Sequence, residues 1–228
     1  MKKIAIIPAY NERGSIVKTV KDLKEKAPAF DYVIINDCST DDTMEVCRRN
    51  GLNVLNLPIN LGIGGAVQTG YLYAYNNGYD IAVQFDGDGQ HDAQYLEMMS
   101  RVLQEEQLDM VIGSRFITRQ GFQSSGLRRV GIRCFTFLTK IFFGQGITDA
   151  TSGMRMCNRK VMELFVKDYP RDYPEPESVA RLLRHKYRIK EVPVIMHERE
   201  AGVSSISLKR SGYYMVKVSL AVLIERLR

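Results

Sequence analysis

Short apolar runs alternate with segments of helical periodicity along the first half of the chain. The apolar runs are typical of strands covered on both faces, and they predict strands at Lys3–Pro8, Tyr32–Asn36, Asn53–Leu57, Ile81–Phe85 and Met110–Ser114. The segments between them predict helices at Gly14–Lys26, Asp41–Asn50, Gly65–Asn77 and Asp92–Gln107. Because strands and helices alternate with short links, the pattern predicts an α/β fold with a mainly parallel sheet and flanking helices.

The second half of the chain is less regular. It predicts, in order, a basic aromatic helix at Leu127–Phe143, a strand at Thr151–Cys157, a helix at Glu177–Lys186, a strand at Ile189–Ile195 and a last helix at Ser207–Arg228. A length of 228 residues leaves room for one sizeable domain. We therefore predict one α/β domain over residues 1–206 and an amphipathic C-terminal helix over residues 207–228.

The composition agrees with a globular protein. Hydrophobic residues make up 45% of the chain and charged residues 25%, which argues against a disordered, collagen-like or coiled-coil protein. No apolar run reaches the roughly 20 residues that a membrane-spanning helix needs. The cysteines have no CxxC spacing, so we expect reduced thiols in a cytoplasmic protein rather than a metal cage or a disulfide framework.

Positive charge is concentrated in one segment. The net charge is +6, and no acidic residue lies between Asp109 and Asp149. That segment contains six cations, namely Arg115, Arg119, Arg128, Arg129, Arg133 and Lys140. The rest of the chain is therefore close to neutral, which predicts an anionic partner at one place: a phosphorylated ligand, a membrane surface or a nucleic acid.

Acidic residues follow three of the first four predicted strands, with Glu12 after the first of them. Parallel sheets bind ligands beyond the carboxyl ends of their strands, where Asp37, Asp86 and Asp88 are expected. Two carboxylates at positions i and i+2, separated by Gly87, can point toward one spot. Mg²⁺ and Mn²⁺ prefer such oxygen ligands and complete their shells with water and substrate phosphates. We therefore predict a metal site here, and an exposed acidic turn is the alternative.

The glycines after the third predicted strand do not indicate a dinucleotide site. The dinucleotide fingerprint follows the first strand of its fold, whereas Gly62, Gly64 and Gly65 follow the third. A phosphate-binding Gly-Lys-Ser/Thr motif is also missing from the sequence. A loop that leads into a helix and a direct contact to a ligand both remain open for these glycines.

Seven segments stand out in order along the chain: Pro8–Glu12, Asn36–Thr43, Asn60–Ala66, Asp86–Asp92, Gly113–Arg115, Asp149–Arg155 and Arg199–Ser205. In these segments the sequence resembles family-2 glycosyltransferases with the GT-A fold, and most of all the dolichyl- or polyprenyl-phosphate hexose synthases. The segments span residues 1 to about 206. The resemblance implies a Rossmann-like nucleotide-diphospho-sugar transferase fold.

The resemblance also implies roles for individual residues. Those expected to bind the donor nucleotide are Pro8, Ala9, Tyr10, Glu12, Asp37, Gly65, Asp86, Gly87, Arg199 and Ser204. Asp86 and Asp88 would hold Mg²⁺ or Mn²⁺ at the donor diphosphate. Gln90 and His197 are candidate further ligands, although a histidine at a strand end is more often an ordinary polar residue. Asp88, Arg115 and Glu177 are the candidate catalytic residues, with Arg115 facing the acceptor phosphate or the donor diphosphate.

The segment at Tyr173–Glu177 departs from the family pattern. Many family-2 enzymes carry a Glu-Asp pair whose Asp is the base for a sugar hydroxyl, and here no Asp follows the Glu. Glu177 would take that place as a base or as a contact to the acceptor. An acidic residue at a solvated helix N-terminus is an equal alternative. A phosphate acceptor is already anionic, so a general base is optional for it.

The resemblance implies an inverting, metal-dependent enzyme. It would move a hexose or N-acetylhexosamine from a nucleoside-diphosphate sugar, preferably a UDP-sugar, to polyprenyl (undecaprenyl) phosphate. The alternative is transfer to a sugar hydroxyl in cell-surface polysaccharide assembly, for example of rhamnose. A nucleic-acid-binding protein would leave the acidic strand ends unexplained, so we expect no nucleic-acid partner.

The basic helix at Leu127–Phe143 has the composition of an element that lies on a membrane surface. Its cations Arg128, Arg129, Arg133 and Lys140 would face anionic lipid or the lipid acceptor. The alternative is an amphipathic helix packed on the core, with a solvated basic face. We expect residues 207–228 to pack on the membrane, on a second copy of the chain or on a small membrane protein. These expectations place a homo-oligomeric, peripheral protein on the inner face of the cytoplasmic membrane.

Overall fold

The computed structural model of the chain describes residues 1–118, 126–171 and 174–197, together with the single helical residue Leu220. For residues 126–130 it describes the backbone alone. Arg199, Ser204 and nearly all of the predicted C-terminal helix lie outside the described residues. The division of the chain at residue 206 therefore stays a prediction.

Seven strands of the described residues form one sheet, in the order β3-β2-β1-β4-β6-β5-β7. The strands are β1 Lys3–Ala9, β2 Phe30–Asn36, β3 Val54–Asn56, β4 Ile81–Gln84, β5 Met110–Ser114, β6 Arg155–Asn158 and β7 Ile189–Pro193. Only β6 is antiparallel to its neighbours, β4 and β5. The prediction of a mainly parallel sheet is confirmed, and β6 adds a reversal that the pattern did not predict.

Helices cover both faces of this sheet. They are α1 Ile16–Lys26, α2 Thr43–Arg49, α3 Gly62–Asn76, α4 Leu96–Glu105, α5 Gly126–Phe143, α6 Arg159–Lys167 and α7 Pro174–Arg184. The predicted helix at Asp92–Gln107 is divided into a 3-10 turn, Ala93–Tyr95, followed by α4. α6 was not predicted. α7 begins at Pro174, three residues before the predicted start, because proline is well tolerated in the first turn of a helix.

Alternate residues of β1 build two apolar layers. Ile4 and Ile6 belong to the layer that contains residues of α3, α6 and α7, whereas Ala5 and Ile7 belong to the layer of α1 and α4. α3 lies close against the sheet at Gly70, where a Cβ atom would overlap the side chain of Ile6. This close packing fixes the first turn of α3 at the carboxyl edge of the sheet.

The strand register brings the candidate residues to that edge. Ala9, the last residue of β1, pairs with Asn36, the last residue of β2. On its other side β1 pairs with β4, in which Gln84 is the partner of Ile6. Residues that follow these three strands therefore share one edge, as predicted. No helix within the described ranges is both long enough and apolar enough to cross a membrane.

Candidate active site

The ends of β1 and β2 are tied together around Asp37. This residue is buried, and its N–H donates to the Ala9 carbonyl at 2.9 Å. Its carboxylate accepts the N–H of Leu61, just before α3, at 2.7 Å. Asn11 and Cys38 have φ values of 59° and 54°, in the left-handed region that non-glycine residues rarely occupy. Such strained backbone is typical of binding sites.

The other residues predicted for the nucleotide surround this turn. Pro8 and Ala9 are the last residues of β1, and the Tyr10 side chain is exposed. The Glu12 N–H donates to the Thr43 hydroxyl at 2.8 Å, and the Glu12 carboxylate accepts the Ser15 hydroxyl at 2.7 Å. Gly65 lies in the first turn of α3. The predicted nucleotide-binding residues between Pro8 and Gly87 thus lie together at the carboxyl edge of the sheet. Their roles in binding the nucleotide stay predictions.

Asp86 and Asp88 follow β4 in a tight turn. Asp88 is only 4% exposed, and its Oδ1 accepts the Gln90 N–H at 3.0 Å. The Asp86 Oδ1 accepts the Gln84 side-chain amide at 3.2 Å. His91 touches Asp86 from the other side, with its Nε2 at 3.5 Å from Oδ2. Both carboxylates are therefore held in place by neighbours in the same turn.

The donor set of this turn fits a hard divalent cation. Within the described residues, no cluster of three or more His, Cys, Asp or Glu side chains is arranged to hold a metal. Two carboxylates suffice for Mg²⁺ or Mn²⁺ when substrate phosphates and water supply the remaining ligands. Gly153 leaves room beside them, because a Cβ at this position would overlap the Asp86 carboxylate. Asp86 and Asp88 therefore fit the predicted metal.

The two candidate further ligands are engaged with each other. The Gln90 side-chain amide donates to the His197 carbonyl at 3.3 Å, and the His197 N–H donates to the Gln90 carbonyl at 2.9 Å. The His197 Nε2 lies 3.3 Å from the Asp92 carboxylate, which also binds Lys26 at 3.0 Å. Burial disfavours ionisation of Asp92, but hydrogen bonds from Gln94, Lys26 and His197 hold its pKa below the usual value. Metal ligation by Gln90 and His197 stays a prediction.

Arg115 has a carboxylate partner. The side chain follows β5 and is 6% exposed, and its Nε and Nη2 donate to the two Asp149 oxygens at 2.8 and 2.7 Å. Glu191 of β7 accepts the N–H groups of Thr148 and Asp149, each at 2.7 Å, and so holds the loop that carries this partner. A phosphate group would have to compete with Asp149 for the guanidinium. The phosphate-binding role of Arg115 stays a prediction.

α7 presents Glu175 toward Asp86. Burial raises the pKa of the Glu175 carboxyl, and the nearby Asp86 charge adds to this effect while the Arg155 guanidinium opposes it. The Gln84 side chain has a smaller influence on this pKa and lowers it. Glu177, the residue singled out in the sequence, is partly exposed on the same helix. Its role as a base or an acceptor contact stays a prediction.

Sequence reasoning missed the residues that support the acidic turn. These are Gln84, His91, Gly153, Arg155 and Glu175. His91, Gly153 and Arg155 lie inside the quoted segments, so the resemblance offered a signal for them. The roles of Gln84 and Glu175 depend on where their side chains point, and the spacing of residues along the chain does not reveal this.

α5 has one face packed on the core and one face that is free to contact a membrane, so it has features of both predicted alternatives for the basic helix. Ile132, Phe135 and Thr139 are buried, so one face of the helix packs on the core. The opposite face exposes Phe137 by 63% and Ile141 by 58%. Arg133, Cys134 and Lys140 are exposed on the same face, while the side chains of Arg128 and Arg129 lie outside the described atoms. We call the residues 133, 134, 137, 140 and 141 the outer face of α5.

The sequence is similar to a known protein family and to named glycosyltransferases. The family described as glycosyl transferase family 2 matches residues 4–165. An undecaprenyl-phosphate mannosyltransferase of Micrococcus luteus is 29% identical, with 96% of this chain and 93% of the relative covered. A UDP-N-acetylglucosamine–dolichyl-phosphate N-acetylglucosaminyltransferase of Methanococcus voltae is 31% identical, with 83% of each chain covered.

A solved structure has the same fold. Glucosyl-3-phosphoglycerate synthase from Mycobacterium tuberculosis, in complex with Mn²⁺, UDP-glucose and phosphoglyceric acid, superposes with a TM-score of 0.73 at 16% identity. The match covers 99% of this chain and 79% of that chain. The predicted GT-A fold and the predicted hexosyltransferase class are confirmed, and the chain belongs to glycosyl transferase family 2.

Proposed function

We propose that this protein is an inverting glycosyltransferase that moves a hexose or N-acetylhexosamine from a nucleoside-diphosphate sugar to polyprenyl phosphate. The placement of Asp37, Asp86 and Asp88 at one sheet edge carries the proposal, because these residues would then bind the nucleotide and a metal side by side. The relatives from Micrococcus luteus and Methanococcus voltae, whose names include undecaprenyl and dolichyl phosphate, support the lipid acceptor. A UDP-sugar is our preferred donor.

In this reaction an oxygen of the lipid phosphate attacks the anomeric carbon, and the bond from that carbon to the nucleoside diphosphate breaks. A bound divalent metal would neutralise charge on the leaving diphosphate. Asp86 and Asp88 would hold it, and their own neighbours keep both carboxylates in place. Because the attacking phosphate is already anionic, no proton has to be removed from it.

Transfer to a sugar hydroxyl is a second candidate. The observation that favours it is Glu175, a carboxyl beside Asp86 whose burial raises its pKa. A hydroxyl nucleophile needs a base, and a carboxylate of raised pKa is a better base than an ordinary one. The acceptor therefore has to be determined by experiment.

The test is a product analysis with the purified chain. It is incubated with UDP-, GDP- or dTDP-sugars, Mg²⁺ or Mn²⁺, and undecaprenyl phosphate in detergent, and the organic phase is analysed by mass spectrometry. We expect one donor to give a glycosylated lipid, no product with EDTA, and recovery when metal is added back. Donor consumption without a lipid product would favour the hydroxyl acceptor, and no consumption of any donor would contradict the proposal.

We also propose that the protein acts as a peripheral protein at the inner face of the cytoplasmic membrane, with the outer face of α5 against the lipid. Exposed Phe137 and Ile141 can enter the interface while Arg133 and Lys140 meet anionic headgroups. Each cation near an anionic leaflet contributes about 1 kcal/mol. Contacts of residues 207–228 with the membrane, a second copy or a small membrane protein belong to the same proposal.

Replacement of Phe137 and Ile141 by Glu should weaken binding to anionic vesicles at least about tenfold, because two apolar side chains leave the interface. Flotation with phosphatidylglycerol vesicles measures this loss. Leu72→Glu is the control, since Leu72 is an apolar side chain that is 44% exposed on a different helix, α3. Equal binding of the double variant and the control would contradict the proposed orientation.

A further inference from the structure

One buried ring contacts Asp86 at two points. The Asp86 N–H donates to the His91 Nδ1 at 3.0 Å, and the His91 Nε2 lies 3.5 Å from the Asp86 Oδ2. His91 is 5% exposed, and its ring meets the Phe85 ring edge-on, with centroids 5.4 Å apart. The imidazole is thus fixed by packing as well as by its polar contacts.

The contacts define the protonation pattern of the ring. A backbone N–H can donate only to a nitrogen that carries a lone pair, so Nδ1 is unprotonated. The neutral ring then carries its proton on Nε2, the nitrogen that faces the carboxylate. Nδ1 thus accepts a hydrogen bond from the Asp86 backbone, and Nε2 lies 3.5 Å from the carboxylate of the same residue, so both nitrogens of His91 are next to Asp86.

The second Asp86 oxygen has its own support. Gln84, also buried, donates to Oδ1 at 3.2 Å, so the two oxygens face two different side chains. The backbone of Gly153 also packs against the carboxylate, so closely that a Cβ at this position would overlap it. Asp86 therefore has little freedom to rotate, although its side chain is 32% exposed toward the site.

We propose that His91 is a positioning residue, which fixes the backbone and the carboxylate of Asp86 as the neutral Nε2–H tautomer. The inference rests on the proposed function in one respect, namely that Asp86 binds the metal and the donor. Loss of a side chain that orients a metal ligand typically costs 10- to 100-fold in metal affinity. His91 itself does not touch the substrate in this assignment.

Two substitutions separate positioning from packing. His91→Phe keeps a ring against Phe85 but removes both nitrogens. His91→Asn offers a side-chain oxygen as an acceptor for the Asp86 N–H. His185→Asn is the matched control, because His185 is exposed just beyond α7 and contacts Arg184.

The readouts are Mn²⁺ affinity in the presence of UDP, measured by calorimetry, and the thermal midpoint of each variant. We expect His91→Phe to weaken Mn²⁺ about 10- to 100-fold. His91→Asn should recover part of that loss, and His185→Asn should bind as the unmodified protein does. A second measurement is independent of binding: long-range ¹H–¹⁵N spectra of the unmodified protein, with its three histidines, should show His91 unprotonated at Nδ1 and protonated at Nε2.

The outcomes distinguish this inference from the proposed function. Unchanged Mn²⁺ affinity in His91→Phe, or a proton on Nδ1 of His91, would overturn the positioning role alone. If the unmodified protein bound neither Mn²⁺ nor UDP, the proposed function would fail together with the role of Asp86 on which His91 acts. A weakened Mn²⁺ affinity in His91→Phe at an unchanged thermal midpoint supports the proposal directly.

Discussion

Asp88→Asn should lower the rate of sugar transfer about a thousandfold, the equivalent of roughly 4 kcal/mol in the transition state. Asn keeps an oxygen for the Gln90 N–H, so the turn after β4 retains this hydrogen bond. The substitution removes the negative charge with which Asp88 would bind the proposed metal. We therefore expect a large fall in the transfer rate and little change in the thermal midpoint.

The measurement is initial-rate transfer from the productive donor, with the thermal midpoint recorded on the same sample. Asp80→Asn is the matched control, because Asp80 lies just before β4, at the opposite end of the strand, where its carboxylate accepts the Lys2 N–H at 2.8 Å. We expect the control to retain most of its activity. Retention of more than about a tenth of the rate in Asp88→Asn would contradict a metal-bound role for Asp88.

The alternating first half of the fold could be predicted because its interior strands are covered on both faces. β1, β4 and β5 are short apolar runs, and their residues fill both core layers. Their carboxyl ends share an edge for topological reasons, so the positions of Asp37 and Asp86 followed from the same pattern.

The direction of β6 could not be predicted in the same way. A short apolar run does not indicate whether its strand is parallel or antiparallel to its neighbours. β6 lies between β4 and β5 in the sheet, and in the chain it follows α5. α6 has only nine residues, which is short for a periodicity argument, although Asn158 caps it by accepting the Val161 N–H at 3.0 Å.

Contacts between side chains that are distant in sequence could not be predicted either. Arg115 and Asp149 are 34 positions apart, and only the folded chain shows that they form an ion pair. On α7, burial raises the pKa of the Glu175 carboxyl, with a smaller contribution from the charge of Asp86, which the spacing of acidic residues along the chain does not reveal. Glu177, chosen from the sequence, lies two residues further along the same helix, and its role stays a prediction.

Arg155 carries the second large expected effect, this time on stability. It is 1% exposed and lies in β6, opposite Gln84 of β4. Its guanidinium donates to four acceptors: the carbonyls of Ala150, Ser152 and Glu175 and the hydroxyl of Ser178. A single buried side chain thus joins the loop before β6 to the first turn of α7.

Arg155→Met should lower the free energy of unfolding by about 3–5 kcal/mol. Met keeps an unbranched apolar stem but donates no hydrogen bond, so buried acceptors in the loop and in α7 lose their partner. For a chain of this size the loss corresponds to a fall of roughly 10 °C in the thermal midpoint. Urea or thermal unfolding of the purified variant measures the effect.

Arg101→Met is the matched control, because Arg101 is exposed on α4 and should change the free energy of unfolding by less than about 0.5 kcal/mol. Equal stability of the two variants would contradict a structural role for the Arg155 hydrogen bonds. Transfer measured well below the midpoint adds a second comparison. Since Arg155 holds both the loop with Gly153 and the helix with Glu175 beside Asp86, a folded Arg155→Met protein should still transfer sugar more slowly than Arg101→Met.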